Sequence, residues 1–219
     1  MTARRKPSDE EMRQRLLDAA LGRAAQDGFT VQAMTLAAAD AGLGCETVLR
    51  LFPDGPASLV AYYSERCDAQ MVQLLTPRNL PGMKMRERIA EAVLARLEIL
   101  GRDKEAARRA AAFLLLPANA ALGTKLLYRT VDAMWHAAGD VSTDFSFYTK
   151  RGILAGVYAA TLARWFNEPD ESAPATRAFL SARIENVMQF EKFKAEVRER
   201  AKDLPSLSGV LAKFSPRRS

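Results

Sequence analysis

With 219 residues, 48% of them hydrophobic and 26% charged, the chain has the length and composition of one sizeable globular domain. No apolar run approaches the roughly 20 residues of a membrane span, and the two cysteines, Cys45 and Cys67, have the spacing of neither a disulfide framework nor a metal site. The net charge of +6 lies mostly at the ends, since residues 183–219 hold nine Lys and Arg against five Asp and Glu, and basic ends suit nucleic acid or an anionic membrane surface.

The N-terminal part of the chain has the pattern of three helices. No stretch alternates with period two, so an all-α fold is predicted. A basic tail (residues 1–7) precedes a first helix that Ser8 is placed to cap and Gly28 to end. Two short helices follow before Pro53. Glycine-containing turns separate the three helices, which predicts a helix-turn-helix subdomain over residues 8–55.

Longer helices dominate the remainder, which we predict to be a helical domain over residues 56–189. Pro56 near the first turn, and loops over residues 76–82 and 167–174, indicate where these helices begin and end. The predicted helices cover residues 56–75, 85–100, 103–116, 119–139 and 144–166, followed by one last long helix.

The C-terminal segment, residues 190–219, carries a second apolar pattern. In the last helix one apolar stripe ends near Val187, and a second stripe lies about 100° around the helix. Apolar faces with basic flanks predict an amphipathic segment that contacts an anionic membrane; a coiled or subunit contact, or a disordered tail after Pro205, is the alternative. The predicted membrane-contacting residues are Phe190, Phe193, Val197, Leu207, Val210, Leu211 and Phe214.

Residues 15–60 resemble the DNA-binding domain of TetR-type repressors in the segments RLLDAALGRAAQDGF, AAADAGLG and TVLRLFPDGPASL. The resemblance implies the fold but not the function, because duplex recognition needs cations and base-reading side chains. Between Val31 and Phe52 the only charged residues are Asp40, Glu46 and Arg50. We therefore expect no nucleic-acid binding, and a ligand-responsive transcription regulator is the alternative function.

A second resemblance covers about residues 12–195. The segments PASLVAYYSERCD, MRERIAEAVLARLE, YRTVDAMW, GDVSTDFSFYTKR and FLSARIENVMQFEKFK resemble the family of the ninth coenzyme Q biosynthesis protein, which has a TetR-like fold. The resemblance implies a lipid-binding accessory protein of ubiquinone biosynthesis that is not an enzyme and needs no cofactor. We expect a homodimer, peripheral at the inner membrane face on the cytoplasmic side, or on the mitochondrial matrix side in a eukaryote.

The implied partners are an isoprenoid quinone or phospholipid and the di-iron demethoxyubiquinone hydroxylase. Phe145, Phe147 and Tyr148 cannot all face one core on a helix that advances about 100° per residue. We expect Phe145 in the core and the other two on the surface; the alternative is that all three pack on the preceding helix. The resemblance implies a partner-binding patch of Met134, Asp144, Phe147 and Tyr148.

Apolar residues of the middle helices have two interpretations, an ordinary core or the lining of an elongated pocket for a lipid tail. The candidate lipid-binding residues are Leu94, Leu97, Phe113, Leu114, Tyr128, Val131, Trp135, Tyr158 and Trp165. His136, the only histidine, shares a helix face with Asp132, but a metal site needs three or four ligands and general-base catalysis needs an arranged partner. We therefore expect no metal site and no catalytic residue.

Overall fold

The computed structural model describes residues 7–141 and 145–202, apart from the side chains of residues 145, 146, 188 and 190–202. Over these ranges the fold is all-α, as predicted, and short 3₁₀ turns occur at Leu80–Gly82 and Pro117–Asn119. The α-helices described are α1 (Asp9–Asp27), α2 (Val31–Asp40), α3 (Cys45–Leu51), α4 (Pro56–Leu75), α5 (Met85–Gly101), α6 (Lys104–Leu115), α7 (Ala120–Ala137), α8 (Phe145–Phe166) and α9 (Pro174–Lys202).

Local sequence signals account for the ends of the first helix. The Ser8 hydroxyl accepts a hydrogen bond from the Glu11 amide at 3.2 Å, and the Glu11 carboxylate accepts one from the Ser8 amide at 2.7 Å. This capping box satisfies two amides that the helix itself leaves unpaired. Gly28 follows the helix with φ of 68°, a conformation that glycine adopts without steric cost. The predicted start and end of α1 are therefore confirmed.

The helix-turn-helix formed by α1, α2 and α3 shares its core with the rest of the chain. α1 packs on α2 and on α6, and α4 packs on α5 and α7. One continuous cluster of buried apolar side chains runs from Leu16 in α1 to Leu180 in α9. The helices that carry the candidate site therefore share one hydrophobic core with the N-terminal subdomain.

The last helix is anchored at its start by a buried carboxylate. Glu168 accepts hydrogen bonds from the amides of Ala175 and Thr176 at 2.8 and 2.7 Å, and from the Thr176 hydroxyl at 2.5 Å. A carboxylate at this end also complements the helix dipole. From this anchor α9 continues to Lys202, past residue 190, the predicted start of the membrane segment.

The predicted membrane contacts fall outside what the structure describes. Residues 203–219 are not described, and neither are the side chains of the predicted contacts in α9. The predicted contacts concerned are Phe190, Phe193, Val197, Leu207, Val210, Leu211 and Phe214.

Candidate functional site

The α7–α8 pair is held together by a buried charge cluster around Arg151, whose side chain is 1% exposed. Its Nε donates to Asp132 Oδ1 at 2.5 Å, and its Nη1 lies 3.5 Å from Asp140 Oδ2. Lys150 Nζ donates to the other oxygen of Asp140 at 2.9 Å. Two carboxylates thus face two cations, and this balance makes the burial of Arg151 tolerable.

The same arginine supports the aromatic residues of the predicted patch. Its guanidinium carbon lies 3.3 Å from the centroid of the Phe147 ring, and its Nη1 donates to the Phe147 carbonyl oxygen at 3.3 Å. The Tyr148 ring meets the Phe147 ring edge-on at a centroid distance of 5.1 Å. Phe147 is half-buried and Tyr148 is 67% exposed. The two rings therefore form an aromatic surface that packs on the buried Arg151 guanidinium through Phe147.

The four residues of the predicted patch have different placements. Tyr148 lies at the surface beside Phe147, whereas Met134 is completely buried and adds no exposed area. Asp144 is outside the described residues, as is the side chain of Phe145. Val141, 91% exposed just before α8, was not among the predicted residues. Its only sequence signal is an apolar side chain in an otherwise polar connection.

Most of the predicted lipid-binding residues lie in or against the continuous core. Leu97, Val131, Tyr158 and Trp165 are buried. Four others, Leu94, Phe113, Leu114 and Trp135, are half-buried and packed on that core. Tyr128 is the exception at 41% exposed. These placements are compatible with both interpretations of the apolar residues.

A polar cluster that we did not predict lies between α4, α5, α7 and α8. Arg96 is 3% exposed, and its Nε lies 3.1 Å from Asp68 Oδ1. Asp68 Oδ2 accepts a hydrogen bond from the Thr130 hydroxyl at 3.1 Å, and Arg96 Nη2 donates to the Ser64 carbonyl oxygen at 3.3 Å. One feature of the sequence could have indicated this burial: Arg96 follows Ile89 by seven residues, or two helical turns, and so lies on the apolar face of α5.

Burial raises the pKa of Asp68 from 3.8 to about 7, which predicts a pH-dependent stability. Below about pH 4 the carboxyl is protonated in both states; between pH 4 and 7 the unfolded chain alone releases the proton, so stability falls as pH rises. Asp68→Asn should therefore gain stability relative to the parent by about 1.4 kcal/mol for each pH unit in this interval, and no more above it.

Urea unfolding at pH 5 and pH 8 measures this difference, with the exposed Asp27→Asn as the control. A difference between Asp68→Asn and the parent that stays constant with pH would contradict the buried, protonated carboxyl.

The helix-turn-helix offers little positive charge to a duplex. Arg50, the only cation between Val31 and Phe52, is bound in a two-pronged salt bridge to Asp9, with Nη1 and Nη2 at 2.6 and 2.9 Å from the two carboxylate oxygens. Leu49 next to it is 61% exposed. A phosphate would have to displace Asp9 to reach this arginine.

We accordingly predict that the protein selects no DNA sequence. Selection from a random duplex library at moderate salt should return no consensus, because α2 and α3 carry one cation, Arg50, which is already paired with Asp9. Arg50→Ala should leave the weak background binding unchanged. Recovery of a consensus bound at nanomolar concentration would favour the regulator alternative.

The described part of the chain has neither a single helix fit to span a membrane nor a group of metal ligands. No single helix there is both long and apolar enough to cross a membrane; α6 reaches that length and composition only together with residues 117–137, across an 89° bend. No three His, Cys, Asp or Glu side chains there are grouped to hold a metal ion. His136 is an exposed residue whose Nδ1 lies 2.9 Å from the Asp132 carbonyl oxygen.

Comparison with known proteins gives two consistent findings. A model of the COQ9 family matches residues 120–191. The chain is 33% identical over 188 residues to the mitochondrial ubiquinone biosynthesis protein COQ9 of Rattus norvegicus, with 83% of this chain and 60% of the relative covered. The chain is similar in sequence to the COQ9 proteins. The human COQ9 shows 31% identity, with 83% of this chain and 59% of the relative covered.

The chain therefore spans about 60% of the length of the curated COQ9 relatives it matches. The TetR-like fold is confirmed by a solved structure, a TetR transcriptional regulator from Nitrosomonas europaea, with a TM-score of 0.64. The two chains are 20% identical, and 80% of this chain and 96% of the regulator are covered. At that identity the likeness concerns the fold, and the relation to COQ9 comes from sequence.

Proposed function

We propose that this chain is an accessory protein of ubiquinone biosynthesis that binds an isoprenoid quinone intermediate or a phospholipid and presents the quinone to the demethoxyubiquinone hydroxylase. The COQ9 relatives, named as ubiquinone biosynthesis proteins, support the pathway. The observation that carries the finer proposal is the aromatic surface of Phe147 and Tyr148 on its Arg151 support. The hydroxylase performs the chemistry, and this chain supplies binding.

The aromatic surface has the properties of a binding hot spot. Tyr148 is 67% exposed, yet its ring is restrained by contact with Phe147. A rigid aromatic loses little conformational freedom when a partner covers it, and such residues dominate interface energies. Arg151 fixes the backbone and the ring of Phe147, so the partner meets a preorganised surface.

Lipid binding is proposed for the apolar interior between the long helices. Leu97, Val131 and Tyr158 are buried on three different helices of this interior. A lipid tail placed among such side chains would replace contacts between apolar side chains with contacts to its own apolar chain. Ligand pockets between the helices of bundles are lined in this way. Residues 190–219 are proposed to bring the protein to an anionic membrane, from which the lipid is taken.

Two further properties complete the proposal. The protein acts as a homodimer, as the TetR-like fold suggests. It works at the membrane face, on the matrix side if it comes from a eukaryote, because the curated relatives are named as mitochondrial proteins.

The proposal is tested by removing the gene from its host and measuring the quinones. Ubiquinone should fall and the substrate of the hydroxylase should accumulate. Re-expression of the parent chain and of the control Leu49→Ala, which trims an exposed side chain far from the patch in sequence, should restore ubiquinone, and Tyr148→Ala should not. Unchanged quinone levels after gene removal would contradict the proposed role.

A further inference from the structure

The buried polar cluster around Arg96 has more hydrogen-bond donors than acceptors. Arg96 Nη1 and Nε have no hydrogen-bond partner, and neither does the Tyr63 hydroxyl. The Arg96 charge opposes the rise in pKa that burial causes at Tyr63 and at Tyr158, so the three groups share one region of the interior. Buried donors without acceptors are rare in folded proteins and each needs an explanation.

Asp68 and Tyr158 supply only part of what these donors need: the Tyr158 hydroxyl shares a hydrogen bond with Arg96, and Asp68 Oδ1 is an acceptor that is itself without a hydrogen-bond partner. This Oδ1 lies 3.1 Å from Arg96 Nε but outside hydrogen-bond geometry, and Asp68 Oδ2 is occupied by the Thr130 hydroxyl. Since burial raises the pKa of Asp68 to about 7, its carboxyl does not fully neutralise the guanidinium at neutral pH. Three unpaired donor atoms, Arg96 Nε, Arg96 Nη1 and the Tyr63 hydroxyl, therefore face one unpaired acceptor, Asp68 Oδ1.

We infer that Arg96 and Tyr63 bind the polar head of the lipid, an acceptor oxygen at the end of an apolar chain. The inference rests on the proposed lipid binding and adds the position and chemistry of the head. A quinone carbonyl and a phosphate both provide such an oxygen. A planar guanidinium presents several donors in a fixed fork, which suits either group, and the Tyr63 hydroxyl adds one more donor.

The surroundings of the cluster suit the tail of the same molecule. Leu97 adjoins Arg96 along α5 and Val131 adjoins Thr130 along α7, and both are buried in the continuous core. A ligand with its head at Arg96 would therefore have its tail within this apolar core. Burying the head satisfies donors that are otherwise unpaired, which favours a headed lipid over a plain hydrocarbon.

The test uses the full chain stripped of lipid and three probes with the same tail: decylubiquinone, decyl phosphate and decylbenzene, which lacks acceptor oxygens. Tryptophan fluorescence gives the affinities, since Trp165 is buried and Trp135 half-buried. The parent should bind at least one headed probe about tenfold or more tightly than decylbenzene. The headed probe that binds more tightly than decylbenzene identifies the natural head group as a quinone or a phosphate.

Two variants separate head recognition from packing. Tyr63→Phe removes an unpartnered hydroxyl and leaves the ring stacked near Phe29. The affinity for the preferred headed probe should therefore fall several-fold, while the melting temperature and the affinity for decylbenzene stay unchanged. Arg96→Met with Asp68→Asn removes the charges at similar volume and should abolish the preference. Tyr62→Phe, which removes the hydroxyl of the preceding tyrosine, a group that donates to Glu10, is the matched control.

The outcomes are distinguishable. If the parent binds all three probes equally, or if both variants keep the preference for a headed probe, the head site is wrong and lipid binding stands. If Tyr63→Phe lowers the affinity for decylbenzene as much as the affinity for the headed probes, the hydroxyl acts through packing and the head site is again wrong. If the parent binds none of the probes, the head site and the proposed lipid binding both fail.

Discussion

Replacing Arg151 by methionine should lower the free energy of unfolding by about 3–5 kcal/mol, because the change leaves Asp132 and Asp140 without the buried cation that faces them both. Methionine keeps most of the volume, so the loss reports the charges and not a cavity. Urea unfolding measures it. The loss also removes the group that holds the Phe147 ring and carbonyl, so partner binding should weaken in parallel.

The matched control is Arg129→Met. Arg129 also pairs with a carboxylate, Glu65, but both side chains are about half exposed, at 52% and 48%. A solvent-exposed ion pair of this kind contributes about 0–1 kcal/mol. If Arg151→Met and Arg129→Met cost the same, the buried cluster does not support the α7–α8 pair as we describe.

Truncating Tyr148 to alanine should weaken binding of the hydroxylase by about 2 kcal/mol or more and barely move the melting temperature, because the side chain is 67% exposed. Phe147→Ala should weaken binding as much, at an additional cost in stability, since the ring contacts both Arg151 and Tyr148. Titration calorimetry with the purified hydroxylase gives the affinities.

Leu49→Ala, which trims another exposed apolar residue, is the control for both variants and should change neither quantity. A large fall in melting temperature for Tyr148→Ala with unchanged affinity would show that the aromatic pair is part of the core. Unchanged affinity and unchanged stability would exclude this surface as the docking site.

Helices and their ends could be predicted because their determinants are local. The capping box of Ser8 and Glu11 and the positive φ of Gly28 lie within a few residues of the ends they specify. The exposure of Tyr148 agrees with one of the two alternatives that the advance of about 100° per residue left open, the one that the family resemblance favoured. Such signals require no knowledge of what packs against the helix.

The charge clusters were not predictable because their partners are distant in sequence. The sequence presents Arg151 as one of two cations in a helical turn, and its burial depends on Asp132, 19 residues earlier. Arg50 is paired with Asp9 across 41 residues, and Arg96 approaches Ser64 across 32. Tertiary packing alone decides whether such a side chain faces solvent or a carboxylate.

The burial of Met134 has the same origin. Its position on α7 is compatible with either face until α8 is placed, and α8 packs directly on α7. With Met134 completely buried, the exposed part of the patch reduces to Tyr148 and the visible portion of Phe147 among the described residues. Among the described residues, the proposed partner surface therefore has less exposed area than the four residues of the family resemblance imply.

The central claim is that this chain carries a lipid, and native mass spectrometry of the full chain purified without detergent tests it most directly. We predict a bound species whose mass corresponds to an isoprenoid quinone intermediate or a phospholipid, released on unfolding and identified by fragmentation. Protein of the bare chain mass in every charge state, together with a lipid extract no richer than that of a control protein from the same host, would contradict the claim.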